Sequence, residues 1–233
     1  SACDLCGSGY FCPNGSSVRI PAACSPGSYS EGGELQSLDD CLPCPERKWC
    51  AGGAAEAKSC MAGRFANVTG LPECFECSAG RFQMAKASTA CDLCDVGGFC
   101  ETGAMAAALC PAGRFGNETC FTSHDKCHTS PLGSSSSAGA KTSTPCRPGT
   151  YANSTGLAEC FECEPGKYQT EQSATACNIC GVGGYCERGS AAATLCSAGS
   201  FGNETGVSSP AGCHVTPPGS SSAVGASAPS DCG

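Results

Sequence analysis

Cysteine occupies 25 of the 233 positions, and no other feature constrains the chain so tightly. Above about 8–10% of a short chain, cysteine is the scaffold. Only 28 residues are Leu, Ile, Val or Phe, too few for a core whose burial offsets the entropy of ordering the backbone. Cross-links must take the place of burial. With 32 Gly and 15 Pro, the same composition without its cysteines would be that of a disordered segment. Thiols at this density are held reduced or metal-bound in a cytosol and pair in an oxidising compartment, so the chain is read as extracellular or cell-surface. A net charge of -8 excludes nucleic acid, whose phosphates demand a basic footprint. No apolar run approaches the roughly 20 residues of a membrane span, and the opening "SACDLCGSGYFC" has no basic-then-apolar leader pattern.

The cysteines fall in a repeat. Residues from Cys60 onward align without a gap on those from Cys146 onward, with 35 identities in the first 60 positions. The register continues from Cys127 to Cys213 and from Cys146 to Cys232, so the unit is 86 residues long. Upstream, "ACDLCGSGYFC" at Ala2 is similar to "ACDLCDVGGFC" at Ala90. The expected organisation is a diverged partial unit over 1–59, full units over 60–145 and 146–231, and the start of a next unit at 232–233. The residues are read as a window on a longer array.

Each unit contains a smaller element headed by Cys-x-(Pro/Ala)-Gly-x-(Phe/Tyr), at Cys24, Cys60, Cys77, Cys110, Cys146, Cys163 and Cys196. Pro at the second position of a turn and Gly at the third predict type II geometry, which needs a positive φ at Gly. The aromatic that follows is expected on the adjacent disulfide. If each headed segment closes on its next cysteine, the bridges are Cys24–Cys41, Cys60–Cys74, Cys77–Cys91, Cys110–Cys127, Cys146–Cys160, Cys163–Cys177 and Cys196–Cys213. Short loops would close as Cys6–Cys12, Cys44–Cys50, Cys94–Cys100 and Cys180–Cys186. Interleaved pairing stays open, since spacing alone does not fix connectivity. Cys3 and Cys232 would then need partners outside the window. Cys120 stands where the other copy has Gly206 and is left as a free thiol or an inter-subunit bridge.

Asn-x-Ser/Thr sequons occur at Asn14, Asn67, Asn117, Asn153 and Asn203. The last four sit seven residues after a head cysteine and end in Thr, so the repeat is read as presenting an N-glycan acceptor on the same loop at regular intervals. Cys74, Cys77, Cys91 and Cys94 have four-cysteine zinc spacing, yet cysteines continue at equal density on both sides, and no metal site is expected. His124, Asp125 and His128 read as loop residues, because the full set occurs in one copy only. "PLGSSSSAGA" at Pro131 and "PPGSSSAVGA" at Pro217 look like flexible linkers, but they fall in register, so each belongs to its unit and reads as a plain polar loop, with O-glycosylation as a second reading. "GAMAAALC" from Gly103 is the one candidate helical turn. Trp49, the single tryptophan, is expected to pack on a disulfide. No nucleophile and base, paired carboxylates or phosphate-cradling glycine loop is found, so neither catalysis nor a cofactor is expected.

The string Cys-x-(Pro/Ala)-Gly-x-(Phe/Tyr) with its Cys-x-x-Cys junctions, running through almost the whole chain, resembles the ephrin-receptor-like cysteine-rich repeat. More distantly it is similar to tumour necrosis factor receptor and epidermal growth factor-like modules. The resemblance implies a module of animal receptor ectodomains or, in long arrays, of algal and protist surface and flagellar-hair proteins; the Gly, Ala and Ser content looks more like the latter. The fold class expected is small and disulfide-rich: an elongated tandem array of cysteine-stapled modules with short β-hairpins and little helix. The function expected is that of a structural extracellular glycoprotein, a repeat segment of a fibre, coat or appendage. Its partners would be copies of itself or other chains of the assembly, besides covalent glycans. A ligand-binding receptor or adhesion ectodomain is the alternative, with Arg47, Lys48 and Trp49 as the one departure from the repeat.

Overall fold

The structure, a computed structural model, describes residues 10–11, 20–21, 24–30, 37–54 and 56–232. Cys3, Cys6, Cys12 and Asn14 lie outside the described residues. Among the described residues there are thirteen two-stranded sheets, each of two-residue strands. Three-residue 3-10 turns at Leu38–Asp40, His124–Lys126 and Pro210–Gly212 are the helical elements found there. Two residues per strand is all that so little apolar side chain can cover. The largest fully buried side chains are accordingly all cysteine.

The hairpins headed by Cys24, Cys60, Cys77, Cys110, Cys146, Cys163 and Cys196 begin with the same turn. Ser28 N–H donates to Ser25 C=O, Arg64 to Met61, Arg81 to Ser78, Arg114 to Pro111, Thr150 to Arg147, Lys167 to Glu164 and Ser200 to Ser197, at 3.0–3.1 Å. The third residue of each is a glycine at φ +80° to +91°, as a type II turn requires. The first strand follows at once and pairs antiparallel with a partner ten to fifteen residues on, as Arg64↔Glu76 and Phe65↔Phe75, Thr150↔Glu162 and Tyr151↔Phe161, or Ser28↔Pro43 and Arg114↔Thr129.

Modules that follow one another within a unit share a recurring pair of backbone bonds. Gly166, for example, donates its N–H to Cys186 C=O and accepts from Cys180 N–H, both at 2.8 Å. Gly63 does the same with Gln83 and Cys77, and Gly149 with Gln169 and Cys163. A Cβ on Gly166 would land on the carbonyl oxygen of Gly206, so this position needs glycine both for its φ of +84° and for close approach. The contacts group into two units, Ser1–Ala108 with Glu118–Lys126, and Leu109–Asn117 with Cys127–Gly233. Both are built from the same module.

Two expectations are corrected and a third is extended. Residues 103–110 form no helical turn: Gly103 is left-handed at φ +72° and Ala108–Leu109 is a strand. The bond from Gly103 N–H to Cys77 C=O ties the run to its neighbour, and that tertiary contact overrides alanine's helix propensity. The Ser-rich stretches belong to their units as expected from register, but they are hairpins and not plain polar loops. Ser134–Ser135 pairs with Thr144–Pro145, and Ser220–Ser221 with Ser230–Asp231, because Gly133 and Gly219 supply the same turn at φ +73° and +84°. Four of the seven head aromatics, finally, find ring partners across the hairpin: Phe65 with Phe75, Phe115 with His128, Tyr151 with Phe161 and Phe201 with His214, at centroid distances of 5.5–5.7 Å.

Candidate functional site

The cysteine frame positions everything else. The structure joins Cys24 to Cys41, Cys44 to Cys50, Cys60 to Cys74, Cys77 to Cys91, Cys94 to Cys100 and Cys110 to Cys127. It continues with Cys146 to Cys160, Cys163 to Cys177, Cys180 to Cys186 and Cys196 to Cys213. The zinc-like spacing of Cys74, Cys77, Cys91 and Cys94 is thus divided among three bridges. Cys120 and Cys232 are free among the described residues. No group of three or more His, Cys, Asp or Glu suited to a metal occurs there. His124 lies 3.1 Å from Asp125, whereas His128 packs on Phe115.

Sequence reasoning missed what closes the serine-rich modules. One period apart, Cys44 and Cys50 become Ser130 and Ser136, and then Thr216 and Ser222. The Ser130 and Ser136 hydroxyls lie 2.7 Å apart, and Ser130 also reaches the Gly113 carbonyl at 3.0 Å. Both residues are buried, 0% and 1% exposed. Thr216 and Ser222 repeat the contact at 2.7 Å. A hydroxyl pair stands where the other modules have a disulfide, so Ser130 and Ser136 offer no oxygen for O-glycosylation. The identical six-residue spacing was the available signal.

Asn67, Asn117, Asn153 and Asn203 are all exposed, each two residues beyond the end of a first strand. Tyr151 and Asn153 line one open depression with Glu164, Lys167 and Thr175, where Lys167 Nζ pairs with Glu164 Oε2 at 3.1 Å. Elsewhere the chain departs from its own repeat around Trp49. This ring packs on the cluster of Cys60, Ala66, Leu71 and Cys74. Lys58 Nζ lies 5.8 Å from the Trp49 ring centroid, and Arg47 holds φ +70° where most modules use glycine.

Residues 149–193 match the family described as tyrosine-protein kinase ephrin type A/B receptor-like. This segment is an ephrin-receptor-like cysteine-rich repeat. It runs from the turn of the Cys146 module, through the Cys163–Cys177 bridge, into the hairpin whose first strand, Gly184–Tyr185, lies within the Cys180–Cys186 loop. No curated protein matches the chain. The ephrin-receptor-like module is of an extracellular, typically non-enzymatic class, in keeping with bridges that persist only under oxidising conditions. No helix of the described residues is long and apolar enough to cross a membrane.

Proposed function

We propose that this chain is the repeat segment of a structural extracellular glycoprotein, a subunit of a fibre, coat or appendage such as a filament or flagellar hair. The observation that carries this reading is the placement of Asn67, Asn117, Asn153 and Asn203. All four are exposed at one position of the module, in two pairs 86 residues apart. A chain that holds both its joints and its acceptor loops constant serves as a building material, with glycans keeping its surface hydrated. Its partners are copies of itself or other chains of the same assembly. Electron microscopy of the native, unreduced material, with glycopeptide mass spectrometry, tests the reading. Regular filaments with density at these four asparagines are expected; discrete unassembled particles would overturn it.

A second reading, a ligand-binding ectodomain, is favoured by one specific feature. Lys58 lies over the Trp49 ring and Arg47 and Lys48 directly precede it in a chain of net charge -8, and Trp and Arg are the residue types that anchor interfaces. Loss of binding to a partner on Trp49→Ala, in material that forms no filaments, would establish this reading instead.

A further inference from the structure

Each of the four repeated sequons is preceded, two positions earlier, by an aromatic residue: Phe65 before Asn67, Phe115 before Asn117, Tyr151 before Asn153 and Phe201 before Asn203. The modules that lack a sequon keep the aromatic in most cases, so the turn and hairpin explain the ring. They do not explain what lies between ring and asparagine. That residue is Ala66, Gly116, Ala152 or Gly202, small and buried in every case. The modules without a sequon carry Ser30, Cys50, Gln83, Cys100, Gln169 or Cys186 there. In extended backbone, residues two apart project to the same side, and a small buried residue between them leaves that side level. Each ring is half-buried and held by its cross-strand partner, so its position is fixed before any sugar arrives. At Asn153 the consequence is visible: Tyr151 and Asn153 share a depression of about 220 Å³, whose lining also includes the Glu164 and Lys167 ion pair.

We infer that the aromatic ring two residues before each acceptor is the seat of the first N-acetylhexosamine of its glycan. Tyr151, Glu164 and Lys167 then form a tethered carbohydrate-binding site beside Asn153. The chemistry is that of an amphipathic ligand. The C–H face of a pyranose lies on the electron-rich face of the ring, and the hydroxyl and acetamido groups at its edge meet the carboxylate and ammonium. Tethering supplies a high effective concentration, so a contact too weak to hold free sugar suffices. The glycan would thereby be ordered at its root and would cover the half-exposed ring.

The inference rests on the glycosylation reading, and the experiment separates the two. The full chain, made in a glycosylating host, is digested and its glycopeptides weighed. The intact protein is then examined by NMR for the protons of the sugar attached to Asn153. Those protons are expected upfield of free-glycan positions, shifted by the Tyr151 ring current, and returned to free-glycan positions in Tyr151→Ser. The same protons at Asn14, which has Cys12 in place of the ring, are expected unshifted. An Asn153 glycan found by mass with unshifted protons would overturn the seat and leave glycosylation standing. Unmodified asparagines would overturn the glycosylation reading itself. Should Tyr151→Ser misfold, the comparison of Asn153 with Asn14 in the unaltered chain still decides.

Discussion

Cys120 shows how much a single backbone angle carries. Its φ is +66°, in the left-handed region that costs an L-residue about 1 kcal/mol, and its counterpart one period on is Gly206 at φ +73°. The conformation is imposed by neighbours: Cys120 N–H donates to Cys94 C=O at 2.9 Å, and its carbonyl faces the position a Cβ on Gly80 would take. Cys120→Gly therefore relieves strain, offset in part by the freer unfolded chain. The expected outcome is a thermal midpoint unchanged or raised, by the equivalent of up to about 1 kcal/mol. The opposite holds at Gly166. Gly166→Ala places a Cβ on the Gly206 carbonyl at φ +84°, and a loss of about 2 kcal/mol or more is expected in the same melting experiment.

At the scale of the hairpin, the replacement of Cys44–Cys50 by Ser130 and Ser136 exchanges a covalent staple for a buried hydrogen bond. A neutral hydrogen bond contributes about 1 kcal/mol, whereas a bridge over a loop of this size contributes about 2 kcal/mol in the chain-entropy account. The serine modules also lack the aromatic, since Ser135 faces Thr144 and Ser221 faces Ser230. Amides of 131–145 and 217–231 are thus expected to exchange with solvent faster than those of 95–109 and 181–195. Ser130→Cys combined with Ser136→Cys should form a bridge like Cys44–Cys50 and slow exchange in 131–145 about tenfold or more, leaving 217–231 unchanged. Hydrogen exchange read by mass spectrometry checks both statements. Equal exchange in every module would show that the hydroxyl pair holds as well as the bridge does.

For the whole molecule, the stabilising material is sulfur. With cysteines as the largest fully buried side chains, little apolar core besides small clusters such as Ala66 and Leu71 with Trp49 remains among the described residues once the bridges open. Full reduction is expected to abolish the dispersion of the amide NMR spectrum, and a chelator without reductant should leave it unchanged, because the described cysteines other than Cys120 and Cys232 are bonded to each other. A dispersed spectrum surviving reduction would mean that the backbone bonds between modules suffice.

The sequence by itself determined the module class, the hairpin architecture and the turn, because these depend on residues close together in the chain: Pro26 and Gly27, or Ala79 and Gly80, specify a type II turn wherever they are placed. It also exposed the 86-residue period, since near-identity over 60 positions requires no structure to see. Only the tertiary structure decided the rest. That Ser130 and Ser136 are buried partners, that Gly103–Leu109 is bent and extended, and that Phe65 rests on Phe75 all depend on what the neighbouring strand or module brings. Serine favours a solvated loop and alanine a helix until the surrounding backbone claims their bonding groups. The depression beside Asn153 belongs to the same kind of fact: Tyr151 comes from one module and Glu164, Lys167 and Thr175 from the next, and the backbone bonds that join Gly149 to Cys163 and Gln169 bring them together.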